Sequence, residues 1–197
     1  MAKRKKPPVW PIFLSLANIL IFAGAILLVM IFSPPLAEEV KYEVRQAAGV
    51  PIESPAPPNT DFALVIPKIK AAAVVFPNID PFNPAEFKPI LKKGVAHANG
   101  TSFPGQGGNI YLFAHSTDAF FNVNRYNAVF YLIGKLQNDD EIDVYYKGKL
   151  FKYYVYEKKV VSAQALEYLE PTKEEILTLQ TCYPPGTTLA RLIVRAR

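Results

Sequence analysis

Thr178-Leu179-Gln180-Thr181-Cys182-Tyr183-Pro184-Pro185-Gly186-Thr187-Thr188-Leu189-Ala190-Arg191-Leu192-Ile193-Val194-Arg195 closes a sequence of 197 residues and holds its only cysteine. The run Ile176-Leu177-Thr178-Leu179 before that cysteine is short, apolar and β-type. Pro184-Pro185-Gly186 marks a turn, and a second strand-like run opens at Arg191. Two neighbouring strands joined this way present a thiol and a guanidinium at the same end. A thiol reacts as its thiolate, and a fixed cation nearby favours that ion and neutralises an oxyanion formed during attack. A group that moves protons is still needed.

Working outward, two histidines are available. His115 ends the apolar run Asn109-Ile110-Tyr111-Leu112-Phe113-Ala114 and precedes Ser116-Thr117-Asp118, so it reads as a residue at the mouth of a buried strand, where catalytic groups are commonly displayed. His97 lies between Gly94 and Gly100, and reads as a structural residue pinning a turn. Among the arginines, Arg195 shares a strand face with Arg191. Arg191 is preferred because it opens the strand nearest the turn leading from Cys182.

These residues carry a family resemblance. Thr178-Leu179-Gln180-Thr181-Cys182 with Arg191 a short loop later, and Ala114-His115-Ser116 upstream, resembles the sortases, cysteine transpeptidases of bacterial cell surfaces, with class D or E favoured. Ile66-Pro67-Lys68-Ile69, Gly94-Val95-Ala96-His97, Thr101-Ser102-Phe103-Pro104-Gly105 and Gly108-Asn109 follow in the family's order, so the resemblance covers about residues 62 to 197. It implies His115, Cys182 and Arg191 as catalytic residues, with Thr181 and Ser116 beside the substrate. It also implies substrates bearing an LPxTG-like sorting signal and an amine acceptor such as a cell-wall precursor or a pilin lysine. An anchored peptidase that only hydrolyses would use the same three residues, and a non-catalytic peptide-binding module would use the same fold.

Composition bounds the rest. Half of the residues are hydrophobic, which excludes a disordered chain. The net charge is +5, but Lys3, Arg4, Lys5 and Lys6 contribute four of those charges, so the folded part has no basic surface suited to nucleic acid. One cysteine forms no internal disulfide. Asp80, Asp118, Asp139, Asp140 and Glu141 lack ligand spacing, so no cofactor is expected; calcium, which some sortases bind, has no support in the sequence.

Residues 1–8 form a basic tail, and 9–32 are apolar and long enough for a transmembrane signal-anchor helix that meets membrane lipid. The basic flank places the N-terminus in the cytoplasm and the remainder outside a bacterial plasma membrane in a single pass. Residues 33–60 begin with Ser33-Pro34-Pro35 and end in a proline-rich stretch; they read as an extracytoplasmic stalk, with a short helix possible over 36–48. Residues 61–197 are strand-rich. Pro84 to Lys93 reads as a helical turn, Asp80-Pro81-Phe82 as a loop although it is similar to the lid motif of pilus-building sortases, and residues 119–135 as a helix or turn packed on the sheet. Lys147-Gly148 sits between two alternating runs as a hairpin turn. Many short strands without an internal repeat favour a mainly β fold, a closed or nearly closed β-barrel with short helices.

Overall fold

The computed structural model describes residues 10–49, 53–116 and 129–197. Eight strands close into a barrel: β1 (Phe62–Ile66), β2 (Ala71–Ile79), β3 (Val95–Ala98), β4 (Asn109–Phe113), β5 (Glu141–Tyr146), β6 (Lys149–Ser162), β7 (Ile176–Tyr183) and β8 (Ala190–Ala196). Around the barrel they run β1, β2, β3, β4, β7, β8, β6, β5 and back to β1. Pairs β2/β3 and β4/β7 are parallel; the others are antiparallel. Closure leaves no free sheet edge.

Local chemistry sets the joints. Pro67 cannot donate to a ladder, and β1 stops at Ile66 before it. Asn83 caps helix α2 (Pro84–Leu91), its side chain accepting from the Ala85 N–H at 3.2 Å, with Pro84 at the first helical position. Lys147 and Gly148, both at positive φ, make the two-residue turn of the β5–β6 hairpin. Gly108 enters β4 at φ 80°, a left-handed conformation that favours glycine, and a Cβ there would also have to displace the Ser102 hydroxyl, 2.5 Å away.

Side-chain alternation then divides the strands. Inward-facing Ile110, Leu112, Leu177, Leu179, Leu192 and Val194 join Leu64, Ile66, Ile142 and Val144 in the barrel core. Outward-facing Ala96, Ala98, Tyr111 and Phe113 form a second apolar layer with Ile79 and Leu91, closed by Phe87, Tyr168 and Leu169. The catalytic candidates belong to this outer side.

Two expectations change. His97 lies within β3 rather than in a turn, because its glycine neighbours flank the strand, and it is fully buried on the inward face. Its Nδ1 accepts from the Asn78 N–H at 3.3 Å, so Nε2 carries the proton and donates to the Ser102 carbonyl at 3.0 Å. The Phe103 ring stacks on it at 4.3 Å. Second, the helix does not stop at Ser33-Pro34-Pro35: α1 runs from Trp10 to Ala47. Its C-terminal part is held by the barrel, since Lys135 Nζ meets Glu39 at 2.6 Å and Glu43 at 2.8 Å, one turn apart, and Tyr42 is buried beside them. Residues 129–135 are, as expected, turns ending in the short helical turn Ile133–Lys135 and packed on the barrel core through Phe130 and Ile133, while Phe120, Phe121 and Tyr126 lie outside the described residues. Counting only described residues, no helix is long and apolar enough to cross a membrane. The span expected at 9–32 includes residues outside that set.

Candidate active site

The thiol and the guanidinium come together through register. In the β7/β8 ladder Cys182 stands directly opposite Arg191, at the end of the barrel where the Tyr183–Ala190 turn closes. Directly opposite positions in an antiparallel pair place side chains on one face about 5 Å apart at Cβ. Arg195 stands opposite Thr178 instead, and its guanidinium faces Glu157 at 3.6 Å, between the rings of Tyr156 and Tyr168. Register therefore selects Arg191. Its Nη1 donates to the carbonyls of Thr188 at 3.2 Å and Ala190 at 3.0 Å, holding the guanidinium against the turn.

His115 arrives from the parallel neighbour. Phe113 pairs with Gln180 in the β4/β7 ladder, and the Ala114 N–H extends that ladder to the Gln180 carbonyl at 3.2 Å. The chain is thus carried past the end of β4 alongside Cys182. His115, Cys182 and Arg191 all line one groove of about 580 Å³ on the outer face of the barrel. Ser116 is buried behind His115 and also lines it.

Thr181 points the other way. It is buried on the inward face, and its hydroxyl donates to the Ala114 carbonyl at 2.9 Å. That bond ties the His115 segment to the Cys182 strand and uses the hydroxyl's one proton. Thr181, Ser116 and Cys182 also line a second cavity of about 320 Å³, with Tyr131, Lys135 and Glu39 at its other wall. Cys182 is therefore shared by two cavities.

Other residues of the groove escaped the motif reading. Tyr111 and Phe113 form its floor with Gln180, and Leu166 and Leu169 its wall, while Pro81 and Phe82 of the β2–α2 loop reach its rim. Tyr111 is buried, which pushes its phenol well above the usual range despite the opposing charge of Arg191, so it stays neutral. Deeper along the same face, Thr178 Oγ1 donates to Asn109 Oδ1 at 2.8 Å, and Asn109 Nδ2 donates to the carbonyls of Tyr168 at 2.8 Å and Glu170 at 3.1 Å. This buried amide pins the Leu166–Leu169 turn that forms the groove wall. Strand parity counted from Cys182 is the signal that would have found Gln180 and Thr178.

Among the described residues, no set of three His, Cys, Asp or Glu side chains is placed to hold a metal ion. Asp143 is the acid most deeply placed among them, and burial together with the neighbouring Glu141 charge raises its pKa.

Comparison with known proteins bears on the family and the fold. The family model described as the Sortase domain matches residues 64–197. Sortase D of Bacillus subtilis (strain 168) is 27% identical over 153 residues, covering 77% of this chain and 68% of that protein. Among solved structures, the lid mutant of sortase A from Corynebacterium diphtheriae is 26% identical with a TM-score of 0.57, covering 77% of this chain and 74% of that one. Sortase C-1 from Actinomyces oris shares the fold at 24% identity and a TM-score of 0.58, covering 83% of each chain. The sortases are cysteine transpeptidases that act on surface proteins bearing sorting signals, and they are generally associated with the membrane or cell surface. On the match over residues 64–197, this chain belongs to the sortase family.

Proposed function

We propose that the chain is a membrane-anchored transpeptidase that cleaves an LPxTG-like sorting peptide and joins its acyl part to an amine at the cell surface. The observation that carries this reading is the convergence of His115, Cys182 and Arg191 on one groove, with Arg191 in direct register with the thiol.

The Cys182 thiolate attacks the carbonyl carbon of the scissile peptide bond. Arg191, always charged, holds the oxyanion or the adjacent backbone carbonyls of the substrate. As the tetrahedral intermediate collapses the C–N bond breaks, His115 protonates the departing amine, and a thioester remains on Cys182. An incoming amine then attacks the thioester, gives its proton to His115, and expels the thiolate. The acyl part stays covalently held between the two steps, so it suits the walled groove. The leaving and entering amines need another approach, and the second cavity on Cys182 offers one.

In the same reading, residues 9–32 cross the plasma membrane, 1–8 remain inside, and 33–60 connect to the catalytic barrel of 61–197 outside. The side chains from Leu14 to Val29 are exposed and mostly apolar, a surface that lipid would cover. The acceptor, a cell-wall precursor amine or a pilin lysine, is tested by partition. The full chain in detergent micelles is given a fluorescent LPxTG-like peptide with increasing concentrations of a lysine peptide. Rising conjugate at the expense of acid product is expected. Acid product alone at every amine concentration would replace the transpeptidase by a hydrolytic peptidase.

A further inference from the structure

The floor of the groove contains a polar pair with no part in the chemistry above. Gln180 lies two residues before Cys182 on the same strand face, about 6.6 Å along β7. Tyr111, buried on the adjacent strand, donates its hydroxyl to Gln180 Oε1 at 2.5 Å. The surroundings are apolar, with Phe113, Leu166 and Leu169 lining the same groove. The phenol stays neutral there, so its proton remains available to the amide oxygen.

That hydrogen bond orients the amide. With Oε1 turned to Tyr111, the two N–H donors of Gln180 are presented to the groove, and no described residue accepts from them. The side chain thus turns its donors to the groove and its oxygen to the buried Tyr111 hydroxyl. A peptide lying along this floor is matched where it brings a carbonyl and no N–H, and an unpaired N–H against the apolar walls would be penalised. An extended peptide repeats at the same two-residue spacing as the strand beneath it, so a chain acylated at Cys182 has the carbonyl of its second residue upstream near Gln180.

We propose that Gln180, oriented by Tyr111, is a donor subsite that takes a main-chain carbonyl of the acyl donor about two residues upstream of the cleaved bond. It selects a residue there that presents a carbonyl without an N–H, which among the common amino acids is proline. This rests on the peptide-acylating reading given above, and names a residue pair that would set its specificity.

The test is a thermodynamic cycle on equilibrium binding, with Cys182→Ala in the full chain so that no covalent step intervenes. The probe is a fluorescent peptide, Leu-Pro-Glu-Thr-Gly flanked by polar residues, and its analogue with the proline carbonyl replaced by a thiocarbonyl, a poorer acceptor. The thio peptide should bind about three- to tenfold more weakly than its parent, the range of one ordinary hydrogen bond. In Cys182→Ala/Gln180→Leu the two peptides should bind alike. Tyr111→Phe should give part of this loss of discrimination, because the amide is no longer held. Should Gln180→Leu fail to fold, Gln180→Glu supplies the second measurement: acceptors replace donors, and the preference for proline over alanine at that position should shrink or reverse.

Equal thio effects with and without Gln180, or an unchanged preference for proline in Gln180→Glu, would overturn the subsite. Acylation of the wild-type chain is read in parallel by intact mass. Binding with the expected cycle but no acylation would keep the subsite and remove the transpeptidase reading, whereas acylation without the cycle would do the opposite.

Discussion

The inward and outward faces of β4, β7 and β8 are made from alternating residues of the same strands, yet they do opposite work. Inward, Leu112, Leu179, Leu192 and Val194 are buried against one another, and even Thr181 turns its hydroxyl to a backbone carbonyl. Outward, Asn109 and Thr178, then Tyr111 and Gln180, then His115, Cys182 and Arg191 form a polar row from the anchored wall to the open turn. The two histidines follow the same division. His97 is locked inside by the Asn78 N–H and the Ser102 carbonyl, while His115 reaches the groove. A period of two thus separates residues that hold the barrel together from residues that line the groove and are proposed to carry its chemistry, one position apart.

The strongest way to break that comparison is to exchange the roles. Cys182→Ala should abolish acyl transfer and leave the thermal midpoint nearly unchanged, as a small change on an outward site; a collapsed fold would make the cysteine structural. Arg191→Ala should depress acyl transfer on the order of a hundredfold or more, by analogy with loss of an oxyanion donor, with circular dichroism unchanged. If Arg195→Ala had that effect and Arg191→Ala did not, register would be a poor guide to the cation.

On the inward side the largest cost is in stability. Leu179→Ala removes a fully buried side chain and should destabilise by about 2–5 kcal/mol in denaturant titration, the range for such cavities. Thiol reactivity of the protein that remains folded should be unaffected.

Asn109→Ala sharpens the comparison between them, since that residue faces outward but serves as an anchor. Its loss strips two loop carbonyls and the Thr178 hydroxyl of their partner, a cost of about 1–3 kcal/mol for such groups. Hydrogen exchange should accelerate in the Leu166–Glu170 segment, and peptide KM should rise more than kcat falls. An effect on kcat alone would contradict a wall-anchoring role.

The smallest effect concerns pH. Burial lowers the His97 pKa below its ordinary 6.5 despite the Ser102 hydrogen bond. Between the two values the unfolded chain binds more protons than the folded one, so stability rises with pH there. The neutral ring's contribution is complete above pH 6.5 and declines as pH falls through the folded value. His97→Gln should flatten that part of the stability profile measured by urea titration.

How much of this was legible differs by residue type. The barrel follows from alternating apolar runs, and Cys182, His115 and Arg191 stood out because each is a reactive side chain at a strand end. The opposing register of Cys182 and Arg191 was implied by a loop short enough to join two antiparallel strands, and β7 includes the cysteine rather than ending before it. His97 was legible as a structural residue pinning the turn that reaches Ser102, but its place inside a strand was hidden, because Gly94 and Gly100 flank that strand as turn residues. The groove floor was not legible, since pairing Tyr111 with Gln180 requires the parallel β4/β7 contact across 69 residues of sequence. The course of α1 past two prolines was equally hidden, because Glu39, Glu43 and Tyr42 find their partners on the barrel, around Lys135.

The claim that the outward row is a catalytic site is tested most directly by trapping its intermediate. The full chain in micelles is mixed with an LPxTG-like peptide, quenched in acid within seconds, and weighed intact, beside Cys182→Ala. The account predicts a mass increase equal to the acyl fragment, mapping to Cys182, discharged by hydroxylamine and absent from the variant. An acyl mass on any other residue, or peptide turnover that persists in Cys182→Ala, would contradict it.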